Sequence, residues 1–183
     1  EDVPRPAVDL VVETEGELAQ HSRALVGVEQ RLEVVGPLAG LGRDLPVTGR
    51  LSAEGMPMAM TALRRFAAVL EGVRPEKTLI AATAAVREAA DGPEFCERVA
   101  AETGLKIRVL SGQEEARYAA LGVLAGAPRA HGVSADMGGA SLELTRLNGD
   151  GVEGGVTLPL GPFALADGKP FDAARIRARI DER

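Results

Sequence analysis

A pair of glutamates, an arginine and a run of glycines occur at points of the chain where catalytic groups are often found. The glutamates belong to SGQEEAR (111–117). Ser111 and Glu114 have the spacing of a capping box, which begins a helix and accounts for Glu114 without any further role. Glu115 is not needed for the cap, and a carboxylate there could orient and deprotonate an attacking water. The local pattern alone favours the simpler interpretation, in which Glu115 only complements the helix dipole.

The arginine lies in AATAAVREAA (81–90), a stretch made mostly of small residues. Thr83 ends an apolar segment, and Arg87 is the one cation of the short helix predicted after it. In open α/β sheets, ligands bind at the carboxyl ends of the strands, where an arginine suits a phosphate or a carboxylate. Taken by itself, however, the pattern is more often explained by a surface arginine with a weak contact to a neighbour.

The glycine run is DMGGAS (136–141). Consecutive backbone amides at Gly138 and Gly139 could form an anion-binding nest, and Asp136 offers a hard oxygen ligand for Mg²⁺. Together these groups would bind a phosphate with its metal. A β-hairpin turn needs the same residue types, so the motif alone does not separate the two interpretations.

The elements that must position these stretches predict an α/β protein. TLIAAT (78–83) and KIRVL (106–110) are typical of strands, and AVDLVVE (7–13) of another. Residues 16–49 mix short apolar runs with Gly and Pro, so we expect one or two strands with long loops there.

Helices are predicted between these strands. Apolar residues from Met56 to Leu70 recur with helical spacing, with Ser52 as the expected N-cap and Gly72 as the expected stop. Further helices are predicted over 84–90 and 93–104, and another begins with the capping box of SGQEEAR. Two of the three chemical stretches therefore fall where a strand ends and a helix begins.

The composition shifts at GAPRAHG (126–132), as it does where domains join. The alternating segments VSADM, SLELTRL and VEGGVTLPL follow and predict an antiparallel strand series, and FDAARIRARIDER predicts a closing helix. We therefore place a first α/β domain at 1–126 and the opening strands and helix of a second at 127–183. So short a second part would bury little surface alone, so we expect it to pack on the first or to be incomplete.

Composition restricts the partners and the compartment. The chain has 183 residues, 45% of them hydrophobic, with only 3% aromatic residues and a net charge of −6. An acidic chain is a poor nucleic-acid partner because phosphate backbones need a basic surface. The single Cys96 cannot form an intramolecular disulfide, and no apolar run reaches the length of a membrane span, so we expect a cytoplasmic protein. His21 and His131 lie in predicted loops and receive no role, and Cys96 is expected in the core.

In this order and spacing, the motifs together resemble the exopolyphosphatase and guanosine pentaphosphate phosphohydrolase family. The resemblance runs from about Leu41 to about Gly161 through TLIAATAAVREAADGPEF, TGLKIRVLSGQEEARYAALGVLAG, GVSADMGGASLELTRL and GVTLPLGP. It implies the actin-like ATPase fold, with two ribonuclease-H-like α/β domains and an active site in the cleft between them. It also implies Mg²⁺ as cofactor, and terminal phosphate release from inorganic polyphosphate or guanosine pentaphosphate. A homodimer is a further possibility.

The resemblance also implies roles for individual residues. Glu115 matches the family's glutamate that activates water, and Asp136 matches its metal-associated carboxylate. The matched phosphate-binding positions are Arg87, Gly138, Gly139, Ala140 and Ser141. On this basis we predict a magnesium-assisted phosphohydrolase.

Three departures from the family pattern leave alternatives open. Ala140 replaces a third glycine, which would cost about 1 kcal/mol if the position needs a positive φ. The family's first loop reads Asp-x-Gly-Ser-Asn-Ser; Asp9 either begins a degenerate version of it or lies in a later strand, with the loop lost upstream. The chain also stops before a further Gly-Gly-Thr-like loop. The alternative function is therefore a catalytically impaired relative that binds phosphate-rich ligands or a partner, and a third is an actin-like kinase or ATPase.

Overall fold

The computed structural model describes residues 8–11, 39–75 and 78–182. Its first sheet has three parallel strands in the order β1 (Val8–Val11), β2 (Thr78–Ala82) and β3 (Arg108–Val109). Parallel neighbours require a crossover, which between β2 and β3 consists of α3 (Ala84–Glu88) and α4 (Gly92–Thr103). The carboxyl ends of β2 and β3 therefore lie side by side, and these are the strands that precede Arg87 and Glu115. β3 is shorter than the predicted 106–110.

An apolar core packs around this sheet and the helices beside it. α2 (Gly55–Val73) contacts α4, and Leu41, Leu63 and Val99 are fully buried between the elements of this half. Small aliphatic residues dominate the core, as the low aromatic content implied, although Phe66 and Phe95 also belong to it. The first sheet is thus held by an ordinary hydrophobic interior. Partly buried Cys96 packs against this core, as expected.

The ends of α2 differ from the prediction. The helix begins at Gly55 with Glu54 as its N-cap, not Ser52, and it ends at Val73, with Arg74 in the left-handed conformation (φ 48°) rather than at Gly72. Ser52 is buried, and its hydroxyl accepts a hydrogen bond from the Gly55 N–H at 3.4 Å. Gly55 lies so close to the carbonyl of Ala39 that a side chain there would clash. Packing against residues 39–40 therefore sets the start of the helix.

The second sheet is antiparallel, as predicted. Its strands are β4 (His131–Met137), β5 (Leu142–Asn148) and β6 (Val152–Leu158), in that order. Exposed His131 begins β4 and pairs with Asn148 rather than lying in the predicted loop. Along β4 and β5, Asp136 lies opposite Glu143 and Ser134 opposite Thr145, so these four side chains share one face.

Helix α5 (Gly112–Gly126) joins the two sheets. It starts directly after β3 and then packs against β5 and β6. Thr145 Oγ1 donates a buried hydrogen bond to the Ala116 carbonyl at 3.2 Å. A side chain on Gly112 would come within 2.7 Å of Thr157 Oγ1, so this glycine allows the close approach. The first turn of α5, which carries Glu115, is in this way brought to the second sheet.

Two short helices complete the described chain. α6 (Pro162–Ala166) begins just after β6, and α7 (Ala173–Asp181) is the predicted closing helix, capped by the Asp172 side chain. The predicted domain boundary falls at the end of α5 and stays a prediction. The strands and long loops predicted over 16–49 lie outside the described ranges as far as residue 38. The described remainder of that stretch, 39–49, holds a short helix, α1 (Leu45–Thr48), and no strand. Within the described ranges, no helix has the length and apolar character needed to cross a bilayer.

Candidate active site

The first turn of α5 holds two glutamates in different surroundings. The predicted capping box is confirmed: Ser111 Oγ accepts from the Glu114 N–H at 3.2 Å, and the Glu114 carboxylate accepts from the Ser111 N–H at 2.9 Å. Glu114 also pairs with Arg108 at the surface. The side chain of Glu115, by contrast, is only 14% exposed and contacts a residue of α3. The structure thus separates a structural carboxylate from a neighbour that the cap does not use.

Arg87 holds this second carboxylate. Its Nη1 donates to Glu115 Oε2 at 2.8 Å and to the Leu110 carbonyl at 2.9 Å, while its Nε donates to Glu88 at 2.9 Å. Burial works to lower the pKa of Arg87, but the hydrogen bonds to Glu115 and Glu88 outweigh it, and the pKa is raised. The guanidinium stays charged and joins α3, the end of β3 and α5. Arg87 and Glu115, predicted separately from two motifs, therefore form one cluster.

The glycine loop, residues 138–141, connects β4 to β5. The Gly138 N–H donates to the Ser141 carbonyl at 2.9 Å, which closes the turn. Among the described residues other than glycine, positive φ angles occur at Arg74, Arg129 and Asp167 and not at Ala140. Ala140 therefore has no backbone strain of the left-handed kind, and the cost expected for an alanine at a positive φ does not apply.

Glu143 is a site residue that the sequence reasoning missed. It is 2% exposed, and its Oε1 and the neighbouring Ser141 Oγ are buried with no hydrogen-bond partner among the described residues. Burial raises the pKa of Glu143 to about 7, and the negative charges of Glu115 and Asp136 add to the effect. The Ser141 hydroxyl opposes the shift, although its geometry falls short of a hydrogen bond.

Glu143 was missed because of the alternating pattern of SLELTRL. Leu142 and Leu144 alternate with Glu143, so the pattern by itself assigns the glutamate to a solvated face. The structure instead buries that polar face against α5. The register of the hairpin could have identified Glu143 from the sequence. Pairing the strands on either side of the glycine loop places it opposite Asp136.

The charges of the cluster fit a divalent cation. Glu115, Asp136 and Arg87 all lie near enough to Glu143 to act on its pKa, the two carboxylates raising it and Arg87 lowering it. In the described part of the chain, no three acidic, histidine or cysteine side chains converge as a complete metal cage. Mg²⁺ in phosphate-processing sites usually takes only one or two carboxylates, with water and substrate phosphates as its other ligands. Asp136 and Glu143 lie opposite each other, and the buried Oε1 of Glu143 has no hydrogen-bond partner among the described residues. Such a pair of carboxylates suits that kind of site.

Comparison with known proteins agrees with these features. Residues 39–171 match the model of the Ppx/GppA phosphatase family. The chain is 30% identical over 120 residues to exopolyphosphatase 1 of Mycobacterium leprae (strain TN), a match covering 64% of this chain and 35% of that protein.

Two solved structures show the same architecture. The Aquifex aeolicus member of the Ppx/GppA family superposes with a TM-score of 0.61 and 28% identity, covering 79% of this chain and 48% of that one. A solved exopolyphosphatase-like protein gives a TM-score of 0.77 at 24% identity, covering 85% and 52%, and this supports the fold alone. The chain thus spans about half the length of these solved relatives.

The fold is therefore the predicted α/β actin-like ATPase fold. The parallel and antiparallel sheets, joined by α5, are its visible parts. The family match covers well over half of the residues. This chain belongs to the Ppx/GppA phosphatase family.

Proposed function

We propose that this protein is an exopolyphosphatase-type phosphohydrolase that releases terminal phosphate from inorganic polyphosphate or guanosine pentaphosphate. The observation that carries the proposal is the largely buried Glu115, which Arg87 holds at the carboxyl end of the parallel sheet. It lies near enough to Glu143 of the second sheet, opposite Asp136, to act on the pKa of Glu143. This arrangement combines a fixed base, a cation and a pair of metal-type carboxylates. Phosphoryl transfer needs mainly such positioning and charge neutralisation.

Glu115 is the proposed general base. Arg87 occupies its Oε2, and within the described residues no bond is recorded to Oε1, which leaves that oxygen to orient a water. The water oxygen attacks the terminal phosphorus, its proton passes to Glu115, and the bond from phosphorus to the bridging oxygen breaks. The products are inorganic phosphate and a chain or nucleotide shorter by one phosphate.

Asp136 and Glu143 are the residues that would hold Mg²⁺. The ion would supply positive charge to the transferred phosphate and let that phosphate approach a carboxylate-rich site. Its binding would also favour the ionised form of Glu143, which burial otherwise disfavours.

Arg87 and the glycine loop are the proposed phosphate ligands. Arg87 engages protein groups through Nη1 and Nε, so its Nη2 edge is the one proposed to meet the substrate. Backbone amides of residues 138–141 would bind further phosphate oxygens. Such donors are effective where charge develops in the transition state.

The test is phosphate release from polyphosphate and from guanosine pentaphosphate with Mg²⁺ by three proteins: wild type, Glu115→Gln and the matched control Glu114→Gln. Glu115→Gln should lower kcat by about 10²–10⁴ because a general base is lost. Glu114→Gln changes the adjacent carboxylate, which serves the cap, and should retain wild-type kcat. Equal rates in wild type and Glu115→Gln would refute the assigned base, and ligand binding without turnover by wild type would favour the binding-only alternative.

A further inference from the structure

The segment that follows β6 lies directly against the glycine loop. The Gly161 N–H donates to the Ala140 carbonyl at 3.2 Å, and the Phe163 N–H donates to the Gly139 carbonyl at 2.8 Å. Leu160, just before them, is buried. This 160–163 segment thus binds two consecutive carbonyls of the loop while an apolar side chain anchors it to the protein.

Those two hydrogen bonds fix the direction of the loop amides. In a planar trans peptide, the carbonyl of one residue and the N–H of the next point in opposite directions. Because the carbonyls of Gly139 and Ala140 face the 160–163 segment, the N–H groups of Ala140 and Ser141 point away from it. The segment therefore determines which way the loop presents its donors.

Gly161 is the position where the contact is tightest. A Cβ on this residue would overlap the Gly139 carbonyl and the Ala140 carbonyl carbon, far inside the 3.0 Å that real Cβ atoms essentially never cross. The atoms it would meet are backbone, which cannot rotate away as a side chain can. By contrast, a Cβ on Gly138 would come no closer than 3.9 Å to another residue's atoms. The steric demand for glycine is thus far stronger at Gly161 than at Gly138 of the loop.

We infer that Gly161 is a positioning residue, which sets the orientation of the phosphate-binding amides of residues 138–141 through the 160–163 segment. The inference rests on the proposed function, since it assumes that the loop binds phosphate. A substitution at Gly161 must push the loop or the segment apart. Misplacement of binding groups by about 1 Å can cost on the order of 100-fold in rate.

The experiment compares Gly161→Ala with Gly154→Ala. Gly154 lies in β6, and a Cβ there would meet no atom within 4 Å, so the same chemical change is made without the clash. For each protein, kcat and KM for polyphosphate are measured with Mg²⁺, the Kd for inorganic tripolyphosphate by calorimetry, and folding by circular dichroism and urea unfolding. Gly161→Ala should lose about 100-fold in kcat/KM and bind tripolyphosphate about tenfold more weakly. Gly154→Ala should match wild type.

The outcomes separate the inference from the proposed function. If wild type hydrolyses polyphosphate and a folded Gly161→Ala matches Gly154→Ala in rate and in Kd, the inference is overturned and the function stands. If wild type binds tripolyphosphate without hydrolysis, the function fails and the Kd comparison still decides on Gly161. If wild type does neither, both fail, because the loop is then no phosphate site.

A measurement on the wild-type protein covers the case in which Gly161→Ala does not fold. Amide hydrogen exchange is followed by NMR with and without tripolyphosphate and Mg²⁺. If loop and segment act as one unit, the amides of Gly161 and Phe163 gain protection when the ligand binds, while the amide of Gly154 does not. Binding that leaves Gly161 and Phe163 unchanged would overturn the inference.

Discussion

The two sheets bury opposite kinds of side chain. Around the parallel sheet, the buried residues are almost all apolar, with Ile80 and Ala82 of β2 packed among the side chains of α2 and α4. The face of the antiparallel sheet that meets α5 buries several polar groups beside the apolar Leu147. These are Ser134, Glu143 and Thr145, with Ser141 beside them.

This difference indicates that one region mainly stabilises the fold and that the other mainly holds the candidate site. Burying apolar surface stabilises a fold, whereas burying a carboxyl without a partner costs free energy. A buried face that carries Glu143 therefore does not serve stability, and we infer that it is kept for the site. The parallel sheet provides the rigid edge on which Arg87 and Glu115 are held.

The largest effect on stability is expected in the apolar region. Leu63 is fully buried in α2, so Leu63→Ala should lower the free energy of unfolding by about 2–5 kcal/mol in urea denaturation. Val69→Ala is the matched control on the same helix. Since Val69 is 37% exposed, its truncation should stay within about 0.5 kcal/mol. Equal losses in the two variants would mean that α2 does not pack as described.

A gain in stability is expected from Glu143→Gln above neutral pH. The pKa of Glu143 is raised from 4.5 to about 7, so between these values the folded state keeps a proton that the unfolded chain releases. Stability therefore falls as the pH rises through this window. The shift corresponds to at most about 3 kcal/mol. With a chelator present, the free energy of unfolding of Glu143→Gln should equal that of wild type near pH 4.5. At pH 8 it should be larger by up to that amount.

Glu102 provides a control of opposite sign. Hydrogen bonds from Arg98 and Arg64 lower the pKa of Glu102, so its ionised form stabilises the fold and that contribution is lost as the pH falls. Glu102→Gln should therefore be less stable than wild type at pH 8, with the difference closing in acid. Melting temperatures measured from pH 4 to pH 8 check both variants. A Glu143→Gln curve parallel to that of wild type would contradict the burial of an ionisable group at this position.

A smaller effect is expected from the hydrogen bond that ties the polar face to α5. Thr145→Val keeps the shape of the side chain but removes the donor to the Ala116 carbonyl. That carbonyl lies inside α5 and keeps its helical hydrogen bond, so only one buried hydrogen bond is lost. The free energy of unfolding should fall by about 0.5–1.5 kcal/mol. Thr61→Val, at an exposed position of α2, should change it by no more than about 0.5 kcal/mol. A neutral Thr145→Val would indicate that α5 does not depend on this contact.

The apolar region was also the more predictable from sequence. β2, α3 and α4 follow directly from periodicity and glycine or proline stops, and the capping box placed Glu115 correctly in the first turn of α5. The predicted start of α2 was wrong because contacts with residues 39–40, which are distant from the helical pattern, determine where the helix begins. Local patterns describe elements well when their own residues determine where they begin.

The polar region was predictable only in part. The hairpin strands were found, but Glu143 was not, because an alternating pattern does not show which face of a sheet another helix will cover. Neither did any local signal show that Arg87 would contact Glu115, since that contact joins residues 28 positions apart. Site geometry depends on tertiary packing between elements, which the individual motifs do not record.

The smallest effect is expected at the ion pair that most resembles the one in the site. Arg108 pairs with Glu114 at the surface, one residue before the Arg87 partner Glu115, and its side chain is 61% exposed against 20% for Arg87. Exposed pairs contribute about 0–1 kcal/mol and weaken with salt. Arg108→Gln should therefore change the free energy of unfolding in urea by less than about 1 kcal/mol, and by less still in 1 M salt. Phosphate release should be unchanged.

Arg87→Gln should instead impair phosphate release at either ionic strength, because it frees Glu115 from its fixed position. Similar behaviour of the two variants would mean that burial does not distinguish the two ion pairs, and that the proposed role of Arg87 in the site is wrong.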